Sequence, residues 1–435
     1  MAGERGAEAS DLVDLVSDAR ARTLHLVEDL RDEQWVGPYL PIVNPPAWEV
    51  GHISYFYEVF VLQEIGRGSV LADRGQELYD SFQVDHEDRW TLPILGHAEV
   101  INYHRQIETL LVRALEATVL DRYSTYLFIL GVLHEDMHDE ALTYTRQTHG
   151  YPAPPIGAAQ SPPPVGALPG DVAVPGGTFR LGAARDADFV FDNEKWSHQV
   201  EVPRFHIARA PVTNAEFAAF VDDGGYQRRE LWDFESWRWR VKARAEHPVY
   251  WRKLGGRWER RVFDVWRELE PFHPVIHVCW HEARAYCRWA NRRLPSEAEW
   301  ELAASGEPTA DGRGITAVKR LYPWGNSPAT PEHANLDGRL GGCIDVAALP
   351  AGDSAFGCRQ MFGNVWEWTG DAFYPYPGFE VDGPYREYSA PWFGRPKVLR
   401  GGAWATRSRL VRNTYRNFYD PWRRDVMAGL RTCAR

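Results

Sequence analysis

A run of twenty residues rich in proline, glycine and alanine, YPAPPIGAAQSPPPVGALPG (151–170), divides the chain into two unequal parts. Proline fixes one backbone dihedral and lacks the amide donor, so this run cannot form the interior of a helix or of a central strand. It predicts a linker between a domain at 1–150 and a domain at 171–435. A chain of 435 residues is long enough for two or three such domains.

The part before the linker has the pattern of a helical bundle. Apolar residues recur every three or four positions near 10–31, 46–66, 98–118 and 122–147. Four amphipathic helices of this length predict an up-and-down four-helix bundle.

The part after the linker changes to short runs of strand-forming residues separated by Gly, Pro and Asp turns. Helices are predicted at 281–291 and at 296–304, where Ser296 and Glu299 have the spacing of a capping box. The second domain is therefore expected to be α+β with much irregular loop. The predicted strand segments are Val172–Val174, Thr178–Leu181, His198–Val202 and Val275–Trp280.

Charge and cysteine content exclude several classes of function. The net charge of −11 argues against a general nucleic-acid or anionic-membrane partner. The N-terminal MAGERGAEASD lacks the pattern of a signal peptide, and no apolar run reaches membrane-spanning length, so we expect a cytoplasmic protein. Five cysteines without a C-x-x-C spacing indicate neither a zinc ribbon nor a disulfide framework.

Two histidines in the fourth predicted helix, His134 and His138, are four residues apart. Neighbours at this spacing on a helix lie about 5–6 Å apart between β-carbons, which is suitable for chelation. Fifteen histidines give about 0.5 such pairs by chance, so the spacing alone is weak. The series His273, His277 and His281 has the same spacing, but it reads as extended chain, where four residues span about 13 Å.

A third histidine, His52, lies on the second predicted helix after a Pro-Pro start. The interior of a helical bundle is a usual place for a metal site, so these three histidines are predicted to hold one ion. Two alternatives stay open at this point. One is a set of core histidines satisfied by hydrogen bonds. The other is a di-iron site, since Glu49 and Glu135 each precede a histidine by three residues, with Glu28 or Glu108 completing the set.

The second part contains six motifs: PGGTFRLG (175–182), PVTNAEFAAFVDDGGY (211–226), RRLPSEAEWELAA (292–304), YPWGN (322–326), FGNVWEWTGD (362–371) and RGGAWATR (400–407). In this order they resemble the formylglycine-generating-enzyme/sulfatase-modifying domain, a C-type-lectin-like fold, over roughly residues 170–435. Copper oxidases of that family bind their metal through two cysteines shortly after the RGG motif, and the stretch Thr406 to Val411 has no cysteine.

A three-histidine bundle in front of this domain resembles the ergothioneine-type sulfoxide synthases, whose N-terminal half is a DinB-like four-helix bundle. The resemblance implies that His52, His134 and His138 bind Fe(II). It also implies O₂ as co-substrate and hercynine, the trimethylated betaine of histidine, as the acceptor of sulfur at imidazole C2. Three neutral imidazoles leave three coordination positions open for the donor, the substrate imidazole and O₂.

The same resemblance assigns further residues. It implies a proton-transferring tyrosine after the GNVWEWT motif, for which Tyr376 is preferred over Tyr374; either could instead pack on a nearby tryptophan. It also implies that the segment YRNFYDPWRRDVMAGLR (415–431) binds the substrates, with Asn417 at the hercynine carboxylate and Arg423 at the donor's carboxylate. Phe418 and Tyr419 are further substrate-binding positions. Tyr419 stands at the acidic position of the family motif, and Asp420 lies one residue beyond it.

Departures from the family pattern concern the donor. The stretch WTLPILGHAEV (90–100) lacks an arginine that grips the γ-glutamyl-cysteine carboxylate, and Met137 replaces a glutamine that faces the imidazole. An uncharged donor fits these changes, so the chain resembles most the selenoneine synthases, which join a selenosugar to hercynine. Tyr419, Trp422 and Phe82 would suit stacking on a sugar ring.

Two other functions remain as alternatives. One is an ergothioneine-type sulfoxide synthase that forms a C–S bond with γ-glutamyl-cysteine or cysteine. The other is a non-catalytic lectin-like binding module.

Overall fold

The computed structural model describes residues 2–71, 73–117, 119–157 and 159–435, and of residues 2–9 the backbone alone. The chain divides into two compact units, one ending at Ile156 and the other beginning at Gly157. The division lies inside the proline-rich segment.

The first unit is helical, and its four long helices form a bundle in which α1 and α3 each pack on both α5 and α6. Short helices fill the connections, and a π-helix, Glu58–Gln63, continues α3. The helices are α1 Ala2–Val27, α2 Asp32–Val36, α3 Pro46–Tyr57, α4 Asp73–Tyr79, α5 His97–Ala117 and α6 Arg122–His149, and a 3₁₀ turn spans His86–Trp90.

The sequence fixes the ends of α6 by local chemistry. Asp121 caps its first turn by accepting a hydrogen bond from the Ser124 amide at 2.8 Å, and Gly150 ends it in the left-handed conformation, with φ of 69°. The helical bundle expected from the sequence is confirmed, and one core of buried apolar side chains runs through it.

Two glycines allow α3 to approach its neighbours closely. A β-carbon at Gly51 would lie 2.1 Å from the ring of Tyr79, and one at Gly131 of α6 would lie 2.4 Å from the ring of Tyr57. Gly51 immediately precedes His52, and Gly131 lies three residues before His134. The absence of these β-carbons therefore sets how closely the segments carrying the histidines pack.

The second unit combines small antiparallel sheets, four helices and long loops. Its helices are α7 Asn214–Asp222, α8 Phe234–Ala243, α9 Trp280–Trp289 and α10 Glu297–Ser305. Its strands are β1 Asp171–Val174, β2 Gly177–Leu181, β3 His198–Val202, β4 Phe205–Ala208, β5 Trp251–Leu254, β6 Arg257–Val262, β7 Val265–Glu268, β8 Arg292–Arg293, β9 Gly306–Pro308, β10 Ile315–Lys319, β11 Trp366–Ala372, β12 Lys397–Arg400, β13 Asn417–Tyr419, β14 Ala428–Gly429 and β15 Cys433–Ala434.

Two four-stranded sheets organise this unit, with strand orders β1-β4-β15-β8 and β13-β12-β11-β14. The pairing of β11 with β14 is parallel, and the other pairings in these two sheets are antiparallel. Helix α10 contributes Trp300 and Leu302 to a core shared with β2, β3 and β4. The mixed α+β class expected from the sequence is confirmed.

Local expectations for the second unit are met in part. Ser296 caps α10 and forms the capping box with Glu299. The prediction of a strand at Val275–Trp280 is wrong, because His277 has φ of 63°, outside the extended region, and Trp280 already begins α9. Helices α7 and α8 were not predicted. Across the described residues, no helix combines the length and the apolar character that crossing a membrane requires.

Candidate metal centre in the helical unit

The bundle brings His52 of α3 together with His134 and His138 of α6. Ligand-capable atoms of the three rings all lie within 4.8 Å of one another. The Nε2 atoms of His134 and His138 are 3.1 Å apart, as the helical spacing of four predicts. In the part of the chain that the structure describes, no other group of three or more His, Cys, Asp or Glu residues is gathered in this way.

Hydrogen bonds at the opposite ring nitrogens orient two of these histidines. His52 donates from Nδ1 to the main-chain carbonyl of Tyr79 at 2.8 Å, and His138 donates from Nδ1 to Oε1 of Glu49 at 2.6 Å. A ring nitrogen whose partner carries the proton presents a lone pair, so Nε2 of each ring is the free ligand atom. His134 stacks on Phe56 with ring centres 3.5 Å apart.

Burial disfavours the charged form of two of the rings, those of His52 and His134. Desolvation, and then the charge of nearby His138, lower the pKa of His52 to about 3, and desolvation lowers the pKa of His134 well below its usual value. Neutral imidazole is the form that binds a metal ion, and the three histidines from two helices offer one nitrogen each to a common ion. The residues therefore fit a mononuclear site for a transition metal.

Glu49 and the residues behind it form a second layer around the histidines. Burial alone would raise the pKa of the Glu49 carboxyl, but the charge and hydrogen bond of His138 outweigh it and the pKa is lowered. The other carboxylate oxygen of Glu49 accepts from Asn44 Nδ2 at 2.6 Å, and Asn44 Oδ1 accepts from Arg89 at 2.7 Å. The Arg89 guanidinium also lies 3.8 Å from the ring centre of Trp48, which stacks on His52.

The di-iron alternative lacks its carboxylates. Glu135 turns away from the histidines to accept hydrogen bonds from Arg20 at 3.2 Å and from Thr23 at 2.6 Å, and Glu28 is exposed. Among the described residues the gathered group consists of histidines alone. Glu49 reaches His138 through Nδ1, which is the role of an orienting hydrogen-bond acceptor rather than of a bridging ligand.

Two of the residues predicted to contact substrate lie in this unit. Met137 is half-buried on α6 beside His138, and Phe82 is exposed after α4.

In the second unit, the two candidate tyrosines have opposite environments. Tyr376 is 7% exposed and belongs to the core beside α10, with the Arg416 guanidinium 3.9 Å from its ring centre. Its hydroxyl has no hydrogen-bond partner among the described residues, and burial raises its pKa well above the usual value. Tyr374 is 57% exposed, and its carbonyl accepts a hydrogen bond from Arg416.

The predicted substrate-binding segment contains polar groups that are largely paired with one another. Asn417 Oδ1 accepts from the amide of Phe418 at 2.8 Å, and the Phe418 ring stacks on Phe373 with centres 4.0 Å apart. Both residues lie on β13. The segment is thus ordered by its own contacts before any ligand is considered.

The charged residues that follow β13 are paired as well. Asp420 accepts from Arg395 at 3.0 Å. Arg423 binds both carboxylate oxygens of the buried Asp425, and its guanidinium lies 5.2 Å from the ring centre of Tyr419. The structure therefore brings Tyr419 and Arg423 together, while Asp420 faces a different partner.

The sequence interpretation missed Asn44, Trp48 and Arg89, and it considered Glu49 only as a ligand of a di-iron site. The position of Glu49 three residues before His52 was a usable signal, because the two side chains share a helix face. Arg89 gave no such signal, since it reaches the site from the 3₁₀ turn by tertiary packing.

Comparison with known proteins matches each unit to a family. Residues 15–146 match the DinB superfamily, and residues 158–435 match the sulfatase-modifying factor enzyme 1-like domain. The second match covers more than half of the chain.

Three characterised relatives indicate how far the similarity extends. The chain is 38% identical over 440 residues to the hercynine oxygenase of Mycolicibacterium thermoresistibile, covering 99% of this chain and 96% of that relative. It is 39% identical over 420 residues to the hercynine oxygenase of Mycobacterium tuberculosis, covering 95% and 96%. It is 34% identical over 297 residues to the formylglycine-generating enzyme of Streptomyces coelicolor, covering 61% and 88%.

Proposed function

Because this chain belongs to the hercynine oxygenase family, we propose that it uses Fe(II) and O₂ to join a chalcogen donor to C2 of the hercynine imidazole, with a selenosugar as the donor. The immediate product carries the sugar on selenium, and selenoneine forms when water then cleaves the Se–sugar bond and the sugar leaves. The gathered histidine cluster, with two of its rings oriented through Nδ1, is the observation that carries the proposal.

His52, His134 and His138 are the proposed iron ligands, and burial favours the neutral, metal-binding form of His52 and His134 by lowering the pKa of each. Bound ferrous iron would supply a Lewis-acidic, redox-active centre at which O₂ accepts electrons. Glu49 and the Tyr79 carbonyl hold two of the rings so that Nε2 remains the ligand atom.

The coupling step balances without an additional reductant, whereas release of selenoneine from a selenoxide needs a two-electron reductant such as a thiol. Coupling forms one C2–Se bond and breaks the C2–H and Se–H bonds, which releases two protons and two electrons. When selenium is oxidised to the selenoxide in the same turnover, one O₂ accepts all four electrons, leaving one oxygen atom in the product and the other in water.

Tyr376 is the proposed proton-transferring residue, and Tyr374 is the alternative. The raised pKa of Tyr376 keeps its phenol protonated at neutral pH, and its hydroxyl is not engaged by another described side chain. The phenol therefore retains its proton, and its raised pKa means that it donates this proton only to a strongly basic acceptor. The proposed substrate contacts are Asn417, Phe418, Tyr419, Asp420, Arg423 and Met137.

The assignment of an uncharged donor rests on arginines that are already paired. Arg423 is held by Asp425, and Arg424 is held by Glu282 with hydrogen bonds of 2.8 and 3.2 Å. The Arg89 guanidinium donates hydrogen bonds to Asn44 and to two main-chain carbonyls. A donor carboxylate would have to displace one of these partners, and a selenosugar makes no such demand.

The alternative is the sulfoxide synthase reaction, with γ-glutamyl-cysteine or cysteine as the donor. It is supported by the name of the relatives that match the full chain, which are hercynine oxygenases. If the protein is instead a non-catalytic binding module, variants without the three histidines should still bind hercynine. The parent protein should then consume no O₂.

One experiment separates these functions. Protein loaded with Fe(II) is incubated under air with hercynine and, in separate reactions, a selenosugar, γ-glutamyl-cysteine and cysteine, and the adduct masses are measured. We expect a selenium adduct and no comparable thiol adduct. Adduct formation with γ-glutamyl-cysteine alone would replace the selenosugar by the thiol, and activity retained in His134→Ala and His138→Ala would refute the metal site.

A further inference from the structure

We propose that Arg89 is a positioning residue that anchors two of the three proposed metal ligands at once, so that metal affinity depends on a side chain that does not touch the ion. The inference rests on the proposed function in so far as His52, His134 and His138 bind the metal. It adds a residue for which neither the motifs nor the relatives provide a role.

The first connection runs from Arg89 to His138 through three hydrogen bonds. Arg89 Nη1 donates to Asn44 Oδ1 at 2.7 Å, and Asn44 Nδ2 donates to Glu49 Oε2 at 2.6 Å. Glu49 Oε1 then accepts from His138 Nδ1 at 2.6 Å. One carboxylate oxygen of Glu49 accepts from Asn44 and the other accepts from His138, so hydrogen bonds hold the carboxylate on both sides.

The second connection runs from Arg89 to His52 through an indole. The guanidinium lies 3.8 Å from the ring centre of Trp48, and the indole stacks on His52 with centres 4.8 Å apart and planes 8° from parallel. A guanidinium over an indole face is attracted by the negative potential of the ring, more strongly when the pair is shielded from water. The contact restrains the indole, and the indole restrains the imidazole plane.

Main-chain acceptors complete the second connection. Trp48 Nε1 donates to the carbonyl of Leu78 at 2.8 Å, and His52 Nδ1 donates to the next carbonyl, that of Tyr79, also at 2.8 Å. The stacked pair therefore binds two consecutive carbonyls at the end of α4. The imidazole of His52 has its rotation fixed by the Tyr79 carbonyl and its tilt limited by Trp48.

Arg89 is itself rigidly held. It is 8% exposed and donates to the carbonyls of Ser81 and Val84, both at 3.3 Å. Its guanidinium thus joins the turn after α4, the loop before α3 and the face of Trp48. A lysine in its place would keep the charge but lose the planar fork that serves three acceptors.

The test compares Arg89→Met and Arg89→Lys with Arg146→Met. Arg146 is a matched control, because it is a buried arginine of the same bundle that binds Asp29 and the carbonyl of Leu26 and contacts none of the three histidines. Anaerobic affinity for Fe(II) and for Co(II) is measured by competition with a chromophoric chelator, and the melting temperature is measured on the same samples.

We expect Arg89→Met to bind either ion at least about 10-fold more weakly, in the range found when groups behind metal ligands are removed. Arg89→Lys should recover part of that loss. Arg146→Met should lower the melting temperature but leave the affinity of the folded protein unchanged. Equal losses of affinity in Arg89→Met and Arg146→Met would reduce Arg89 to a purely structural role.

A second pair of variants keeps the proposal testable should Arg89→Met fail to fold. Asn44→Ala interrupts only the connection to His138, and Trp48→Phe alters only the connection to His52. In the Co(II) protein, the exchangeable Nδ1–H signals of the ligand histidines shift by paramagnetism, and each variant should perturb one signal and spare the other. Identical spectra in both variants and the parent protein would overturn the inference.

The results distinguish a failure of the proposed metal site from a failure of the proposed role of Arg89. Absence of Fe(II) and Co(II) binding by the parent protein contradicts the metal site and therefore the proposed function. Binding by the parent protein that Arg89→Met retains in full contradicts only the role of Arg89.

Discussion

His138 donates a hydrogen bond from Nδ1 to the Glu49 carboxylate over 2.6 Å, which links the second ligand-bearing helix to the first. A carboxylate acceptor at this nitrogen raises the basicity of the opposite nitrogen and fixes its direction.

Replacing Glu49 should weaken metal binding without abolishing the fold. We expect Glu49→Gln to bind Fe(II) about 10-fold more weakly, because the amide oxygen still accepts but carries no charge, and Glu49→Ala to lose up to about 100-fold. Chelator competition under anaerobic conditions measures both. If Glu49→Gln and Glu49→Ala bind as tightly as the parent protein, the carboxylate has no part in the site.

Replacing a ligand should differ from replacing another buried histidine of the bundle. His134→Ala is expected to remove stoichiometric iron and the coupling activity. The matched control is His104→Gln, since His104 is fully buried and contacts the Arg20 carbonyl at 3.0 Å rather than the cluster. Iron content by elemental analysis should fall in the first variant and persist in the second, whatever the loss of stability in either.

Releasing Arg423 should change donor preference. In Asp425→Asn the guanidinium loses its charged partner and becomes available to a donor carboxylate. A charge-assisted hydrogen bond contributes about 1.5–3 kcal/mol, so kcat/KM for γ-glutamyl-cysteine relative to a selenosugar should rise about 10- to 100-fold.

The control for donor preference is the double variant Asp425→Asn with Arg423→Ala, which should lose that gain. A ratio of kcat/KM values that does not move in Asp425→Asn would show that the Arg423 pair does not exclude carboxylate donors.

The second unit should have a stability that depends on pH through Asp192. Burial, together with the nearby Asp382 carboxylate, raises the pKa of Asp192 from 3.8 to about 7. The folded state therefore holds this proton where the unfolded chain has lost it, so the contribution to stability falls as pH rises from about 4 to about 7 and is constant above.

Asp192→Asn should remove this dependence. Relative to the parent protein, the variant should gain up to about 4 kcal/mol in the free energy of unfolding at pH 8 and gain little below pH 4. Denaturant titrations at several pH values measure the difference. A gain that is the same at pH 4 and pH 8 would contradict the raised pKa.

The histidine cluster was accessible to sequence reasoning because its geometry is mostly local. Spacing of four on a long amphipathic helix places His134 and His138 side by side, and that part of the prediction needs no tertiary information. His52 required the additional expectation of a bundle. The surrounding residues Asn44 and Arg89 come from a loop and a 3₁₀ turn, whose positions depend on packing between distant segments.

The second unit was less predictable for a physical reason. The apolar run before α9 has strand-like composition, but His277 takes a left-handed conformation and its ring contacts the carbonyl of Asp425, 148 residues away. Helix α7 begins with a full capping box formed by Thr213 and Glu216. This spacing is visible in the sequence, but α7 was not predicted from it. Short elements in a loop-rich fold are set by such distant contacts more than by propensity.

Successive carbonyls of Leu78 and Tyr79 receive the indole of Trp48 and the imidazole of His52. Since every amino acid supplies a carbonyl, evolution can exchange the side chains at both positions without deleting either acceptor. Insertions or deletions between α4 and the 3₁₀ turn would instead shift the peptide groups out of register. Homologous chains that retain this centre should therefore conserve the number of residues between α4 and the 3₁₀ turn, and should vary at Leu78 and Tyr79 only as far as their packing in the core allows.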